Sequence, residues 1–121
     1  DYRPKSIADQ KIKKSSDVMN IEMIKNPDVL KTIGTLKKDT QFLVGFALET
    51  NNAIEYGADK LKGKNLDLIV INSLEDEGAG FGHDTNKITL LDFNNKTTKF
   101  ELSSKKVVAN NILDYLMKLK K

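Results

Sequence analysis

The chain has no cysteine among its 121 residues, which excludes a disulfide framework and any thiolate metal site and fits a reducing cytosol. It has a single histidine, His83, too few ligands for zinc, and no nucleophile elbow that would make that histidine part of a Ser-His-Asp arrangement. His83 therefore reads as a surface loop residue. No apolar run approaches the ~18 residues of a membrane span, and no signal-peptide pattern opens the chain, so the expectation is a soluble, cytoplasmic protein. Internal repeats and low-complexity linkers are also missing. Charge of one sign is scarce in excess: Lys+Arg 20 against Asp+Glu 17 leaves +3, spread along the chain with clusters at Lys11, Lys13, Lys14 and at Lys118, Lys120, Lys121. That balance favours small anionic ligands over nucleic acid, which asks for a more basic face. With 39% hydrophobic residues the chain is long enough for one core and too short for two ordinary domains.

What is present specifies a βαβ unit. Residues 41–47, QFLVGFA, form a nearly continuous apolar run that predicts a strand buried on both faces of a parallel sheet. Asn51 and Asn52 offer caps for a helix in which Ala53, Ile54, Gly57, Ala58 and Leu61 recur at helical spacing up to Gly63. A second strand, LDLIVI, follows at 66–71, and the short crossover implies that the two strands are parallel neighbours. Upstream, 11–14 and 18–24 flank a polar turn and predict two short extended segments. Asn26, Pro27 and Asp28 then predict a helix start, with Asn26 as N-cap, Pro27 at the first helical position and Asp28 in the first turn; the helix runs to about Leu36. Downstream of a glycine-rich loop, 87–93 and 98–102 alternate around Asn94 and Asn95 as a hairpin. Ser103 or Ser104 caps a last helix whose Val107, Val108, Ile112, Tyr115, Leu116 and Leu119 share a face.

Several residues admit both a bland and a chemical reading. Lys11, Lys13 and Lys14 make either a solvated strand edge, a usual defence against edge pairing, or an anion-binding cluster of which only part can reach one ligand. The helix start at Asn26-Pro27-Asp28-Val29 presents free N–H groups suited to a phosphate, though most such starts bind nothing. Phe46 interrupts an aliphatic strand near its carboxyl end, where open α/β sheets bind ligands; it is otherwise a core aromatic. Lys60 and Lys64, four apart, lie on one helical face and either bind an anion or only complement the helix dipole. Gly78, Gly80 and Gly82 have G-x-G-x-G spacing, which is neither a dinucleotide fingerprint nor a P-loop and argues against a generic dinucleotide oxidoreductase.

Taken in order, DYRP at 1–4, KIKK at 11–14, KNPD at 25–28, GFALET at 45–50, the Lys60/Lys64 pair before LDLIVIN, and the GFGHDTN loop resemble phosphopantothenate–cysteine ligase, the CTP-using enzyme of coenzyme A biosynthesis. The resemblance covers roughly residues 1–115 and departs from the usual pattern at Leu48, Ile71, Ser73 and His83 without touching a nucleotide contact. It implies an α/β, Rossmann-like three-layer fold: a partial parallel sheet with crossover helix, a β-hairpin and a C-terminal helix. Residues 1–121 would be the carboxy-terminal, CTP-binding part of the ligase domain, with a nucleotide-fold segment preceding residue 1. The resemblance further implies CTP contacts at Asp1, Lys11, Pro27, Asp28, Val29, Leu30, Phe46, Lys60 and Lys64. Lys11 would have a catalytic role in forming the activated intermediate, and Asp1 would help hold magnesium. The implied partners are CTP, 4'-phosphopantothenate and cysteine, with neither nucleic acid nor membrane, in a dimeric ligase domain. FMN enters only if the intact protein carries an amino-terminal decarboxylase domain, as bifunctional relatives do. The alternative is a nucleotide-binding fragment without turnover of its own.

Overall fold

The computed structural model describes residues 2–13, 17–49, 52–73, 82 and 84–119. In chain order the elements are β1 (Tyr2–Pro4), β2 (Met23–Lys25), α1 (Val29–Leu36), β3 (Val44–Glu49), α2 (Ala53–Gly63), β4 (Leu68–Ser73), β5 (Thr85–Asn86), β6 (Ile88–Asp92), β7 (Thr97–Lys99), β8 (Ser103–Ser104) and α3 (Lys105–Lys118). The expected βαβ unit is present: β3 and β4 are parallel neighbours in register from Val44↔Leu68 to Glu49↔Ser73, with α2 between them in sequence. The main sheet has the order β3-β4-β6-β7, and β6 and β7 join it antiparallel. Central β4 is the reason that 68–71 reads as an unbroken apolar run: Leu68, Ile69, Val70 and Ile71 are all buried because both faces of the strand are covered. Each such side chain contributes about 1.5–3 kcal/mol by leaving water.

The alternation along the strands divides the core into two layers. On one face Ala47, Ile69, Ile71 and Leu91 pack with Leu61 and Ala58 of α2 and Leu30 of α1. On the other, Leu68, Val70, Ile88 and Leu90 pack with Val108, Ile112, Tyr115 and Leu116 of α3. The result is the three-layer α/β arrangement that the sequence predicts. Ser104 caps α3 by accepting from the Val107 amide. Within the hairpin, buried Asp92 organises the turn, its Oδ1 accepting from the amides of Asn94 at 2.9 Å and Lys96 at 3.0 Å. The Tyr115 hydroxyl donates to Asp92 Oδ2 at 2.8 Å, tying α3 to the turn. Burial, and then this carboxylate, raise the Tyr115 pKa above its ordinary value.

Four expectations are corrected. Among the described residues, 11–13 and 18–22 form no strand: their side chains are exposed, with nothing apolar to cover, and Met23–Lys25 pairs instead with Tyr2–Pro4. The N-cap of α1 is Asp28, not Asn26: the Asp28 carboxylate accepts from the Lys31 amide, whereas Asn26 Oδ1 accepts from Arg3 and caps nothing in α1. Asn52 stands at the N-cap of α2 in left-handed backbone geometry, φ 49°, and its side chain makes no cap bond. Finally, β3 starts at Val44 and is buried on one face only. Gly45 and Ala47 are covered, whereas Phe46 is 66% exposed, since β3 is a sheet edge and α3 packs over β4 and β6. Asp1, Lys14, Asn51 and His83 lie outside the described residues.

The backbone of α1 comes close to the end of α2 at Gly34. A Cβ there would stand 1.9 Å from the Lys64 carbonyl oxygen, a backbone atom that cannot move aside. At Gly63, a Cβ would meet nothing within 4 Å. We therefore expect Gly34→Ala to lower the unfolding free energy by about 3 kcal/mol, and Gly63→Ala to leave it unchanged or raise it by about 0.5 kcal/mol. Urea titration of the two variants measures the difference.

Candidate functional site at the start of α1

Four chain segments meet around the first turn of α1. Tyr2 from β1, Lys25 from β2, Asn26 through Leu30, and Lys64 at the end of α2 line a cavity of about 410 Å³. Their placement follows from local interactions. Arg3 donates from Nη1 to the Lys25 carbonyl and to Asn26 Oδ1, both at 3.2 Å, which fastens the β1–β2 ribbon to the turn before the helix. Asp28 Oδ1 accepts from the Lys31 amide at 3.0 Å as the N-cap, and Thr32 N bonds the Asp28 carbonyl at 3.0 Å. The amides of Val29 and Leu30 are in the first turn, where no intrahelical carbonyl is available to them. The helix thus presents donors and the positive end of its dipole to the cavity.

The remaining oxygen of Asp28 is engaged as well. Lys64 Nζ lies 2.9 Å from Asp28 Oδ2, so the end of α2 is linked to the start of α1. Accepting from the Lys31 amide is the larger cause that holds the Asp28 carboxyl below its ordinary value of 3.8, and the bond from Lys64 adds to it. Lys60 is paired too, with Glu49 at the end of β3. Both lysines of the K-x-x-x-K pair are therefore held by carboxylates from other elements.

Pro27, Asp28, Val29, Leu30 and Lys64 of the predicted set converge on this cavity, and Lys60 lies one helical turn before Lys64. Phe46 does not join them. Its alternation puts it with Val44 on the α3 face of β3, opposite the helices α1 and α2. There it flanks Leu48, which pairs in register with Asn72, whose Oδ1 is buried with no hydrogen-bond partner among the described residues. Lys11 is exposed on the connection between β1 and β2 and is not among the residues lining the cavity. Asp1 is outside the described residues. Among the described residues no three His, Cys, Asp or Glu side chains form a metal cage. Tyr2, Lys25 and Glu49 went unnoticed in the sequence: Lys25 belongs to the KNPD motif and Glu49 to GFALET, and the motif is the one signal that could have singled them out.

An open α/β sheet flanked by helices on both faces, with a cavity at the start of α1 lined by Lys25, Asp28 and Lys64, defines a Rossmann-like domain. The chain belongs to the DNA/pantothenate metabolism flavoprotein C-terminal domain family, whose pattern matches residues 1–119. The protein CoaBC of Bacillus subtilis, a coenzyme A biosynthesis bifunctional protein, is 41% identical over 121 residues, covering all of this chain and 30% of the relative. Its Haemophilus influenzae counterpart is 42% identical over 117 residues, covering 97% and 29%. A cysteine/cysteine sulfinic acid decarboxylase from an unknown prokaryotic organism is 48% identical over 119 residues, covering 98% and 33%. Among solved structures, the C-terminal domain of CoaBC superposes with a TM-score of 0.72 at 36% identity, over 96% of this chain and 47% of that one. The DNA/pantothenate metabolism flavoprotein of Streptococcus pneumoniae shares the fold, with a TM-score of 0.67 at 19% identity, over 89% and 45%. The chain thus spans about a third of the length of the curated relatives it matches. No helix among the described residues is long and apolar enough to cross a membrane.

The double use of Asp28 separates two substitutions. Asp28→Asn keeps a capping oxygen and gives up the charge, whereas Asp28→Ala loses both, so thermal midpoints at pH 7 fall in the order wild type, Asn, Ala. The folded pKa is depressed, so the charge-dependent advantage is complete above 3.8 and disappears as pH falls through the lower folded value. Scanning calorimetry from pH 7 to pH 2 should show wild type and Asp28→Asn converging at the acid end.

Proposed function

We propose that this chain is the CTP-binding part of a phosphopantothenate–cysteine ligase domain acting in coenzyme A biosynthesis. The single observation that carries the reading is the cavity formed by the KNPD turn, the first turn of α1 and Lys64, where motif residues distant in sequence meet. Family membership and the coenzyme A biosynthesis relatives support it. One relative is named a decarboxylase, but that name belongs to a whole protein of which this chain covers a third. The groups converging here are lysines and a helix start, which serve a polyphosphate.

The reaction has two steps. A carboxylate oxygen of 4'-phosphopantothenate attacks the α-phosphorus of CTP; the P–O bond to the β-phosphate breaks, pyrophosphate leaves and an acyl-cytidylate remains. The cysteine amine then attacks the acyl carbon, loses a proton, and CMP departs with the electrons of the acyl–oxygen bond. Negative charge on the triphosphate is what the protein must offset. Lys60 and Lys64 keep N–H donors beyond those given to Glu49 and Asp28, and the amides at 29 and 30 add neutral donors. Lys11 takes the catalytic role: its side chain is exposed, and it approaches the α-phosphate of the bound nucleotide. Magnesium, when bound with the nucleotide, would supply further charge compensation, and Asp1 would be the residue to hold it. Phe46, which falls in the middle of β3 because the strand runs on to Glu49, packs against the nucleotide from the exposed face of the sheet edge. The ligase domain works as a dimer, in the cytoplasm, and residues 1–121 alone bind nucleotide without completing the ligation.

In the intact protein, CTP should support ligation far better than ATP, since cytosine as well as phosphate is recognised. Lys60→Ala should weaken CTP binding while preserving that preference, because an ammonium group reads phosphate charge and not base identity. Coupled pyrophosphate assays with both nucleotides test this; equal turnover of CTP and ATP by wild type would contradict the proposal.

A further inference from the structure

Glu49 lies outside the set of nucleotide contacts, yet its surroundings are those of a built position. It is the last residue of β3, and alternation with Gly45 and Ala47 turns it toward α2. Its side chain is only 14% exposed and ion-pairs with Lys60, which is 44% exposed. A carboxylate so far withdrawn from water needs a cation, and Lys60 is the cation it has among the described residues. The ammonium, by contrast, has spare capacity. Of its three N–H donors one goes to Glu49, and among the described residues the side chain has no other partner. One turn on, Lys64 is held in the same way by Asp28.

We propose that Glu49 is a positioning residue for the nucleotide: it holds the Lys60 ammonium in place at the carboxyl end of the parallel strands, with its outward donors directed to a phosphate. This rests on the reading of Lys60 as a phosphate contact. The carboxylate does not touch the ligand; it acts by removing the freedom of a long side chain before the ligand arrives. Immobilising one lysine in advance is worth on the order of tenfold in affinity. A carboxylate set merely beside the site would act in the opposite sense, repelling the triphosphate, so that its neutralisation would tighten binding.

The test is a double-mutant cycle in the intact protein, with CTP affinity by calorimetry and KM and kcat for CTP by pyrophosphate release. Glu49→Gln should weaken CTP binding about tenfold and raise KM by a similar factor, with kcat changed less than about twofold. Glu49→Asp should recover part of the loss. In a Lys60→Ala background Glu49→Gln should have no further effect on affinity, which a purely structural contribution of the strand end would not reproduce. Tighter binding by Glu49→Gln, unchanged binding, or an equal loss with and without Lys60 would each overturn the proposal while leaving the nucleotide site intact. Failure of the wild-type protein to bind CTP would overturn the site reading and this proposal together.

Discussion

The contact on which the site depends is the crossing of α1 over the end of α2, closed at Gly34 and Lys64. Without a side chain at Gly34 the α1 backbone lies against the Lys64 carbonyl, and the crossing is then locked by polar bonds. Asn65, in left-handed geometry at φ 53°, donates from Nδ2 to the Gly34 carbonyl at 2.8 Å. Lys37 Nζ reaches the Asn65 carbonyl at 2.8 Å and Asp67 Oδ2 at 3.0 Å, and that same oxygen accepts from the Leu43 amide. Lys37 and Asp67 are 10% and 7% exposed, so removing the Asp67 carboxylate would leave the buried Lys37 ammonium without its counter-charge, at a cost of about 3–5 kcal/mol. Six residues of helix rise about 9 Å. Fixing α1 at Gly34 and Lys37 thereby fixes where Asp28 and its neighbouring amides stand, and the Lys64 side chain runs back along the helix to meet them.

The fold was legible where one physical signal dominated. Burial on both faces makes 68–71 continuously apolar, and a helix between two such strands leaves parallel pairing as the simplest solution. Ser104 and the Asn94–Asn95 turn were readable from their own side-chain chemistry. Errors arose where tertiary context decided. QFL at 41–43 is as apolar as the strand it precedes, but its backbone is taken by Asp67, whose amide bonds the Leu43 carbonyl at 2.9 Å. Nothing in the local pattern marks Asp67 as a buried carboxylate, since its donors come from Lys37 and Leu43, and Asp92 adds to its own turn's amides the hydroxyl of Tyr115, 23 residues away. Asn26 looks like a cap in isolation, yet its Oδ1 is used by Arg3, 23 residues away.

The site was legible in a different way, through motifs and not through pattern. Composition and spacing left Lys60, Lys64, Pro27 and Asp28 open to bland readings; the fold brings Lys64 to the KNPD turn and leaves Phe46 on the opposite face of β3. A nucleotide in contact with all of them must reach around the β3 edge, which no further strand occupies among the described residues. Pairing of both lysines with carboxylates has a consequence for energetics. Their charges are offset before a ligand arrives, so binding gains come from exchange of partners and from side chains that are already oriented, more than from bare attraction.

The central claim is that a nucleotide occupies the cavity between the KNPD turn and Lys64. A crystal structure of the intact protein with CTP and magnesium tests it most directly. The account predicts density for the nucleotide in that cavity, with its polar atoms within hydrogen-bond distance of the backbone at 27–30 and of the Lys64 ammonium. A fully occupied CTP bound elsewhere, with this cavity empty and the Lys64–Asp28 and Lys60–Glu49 pairs undisturbed, would contradict it.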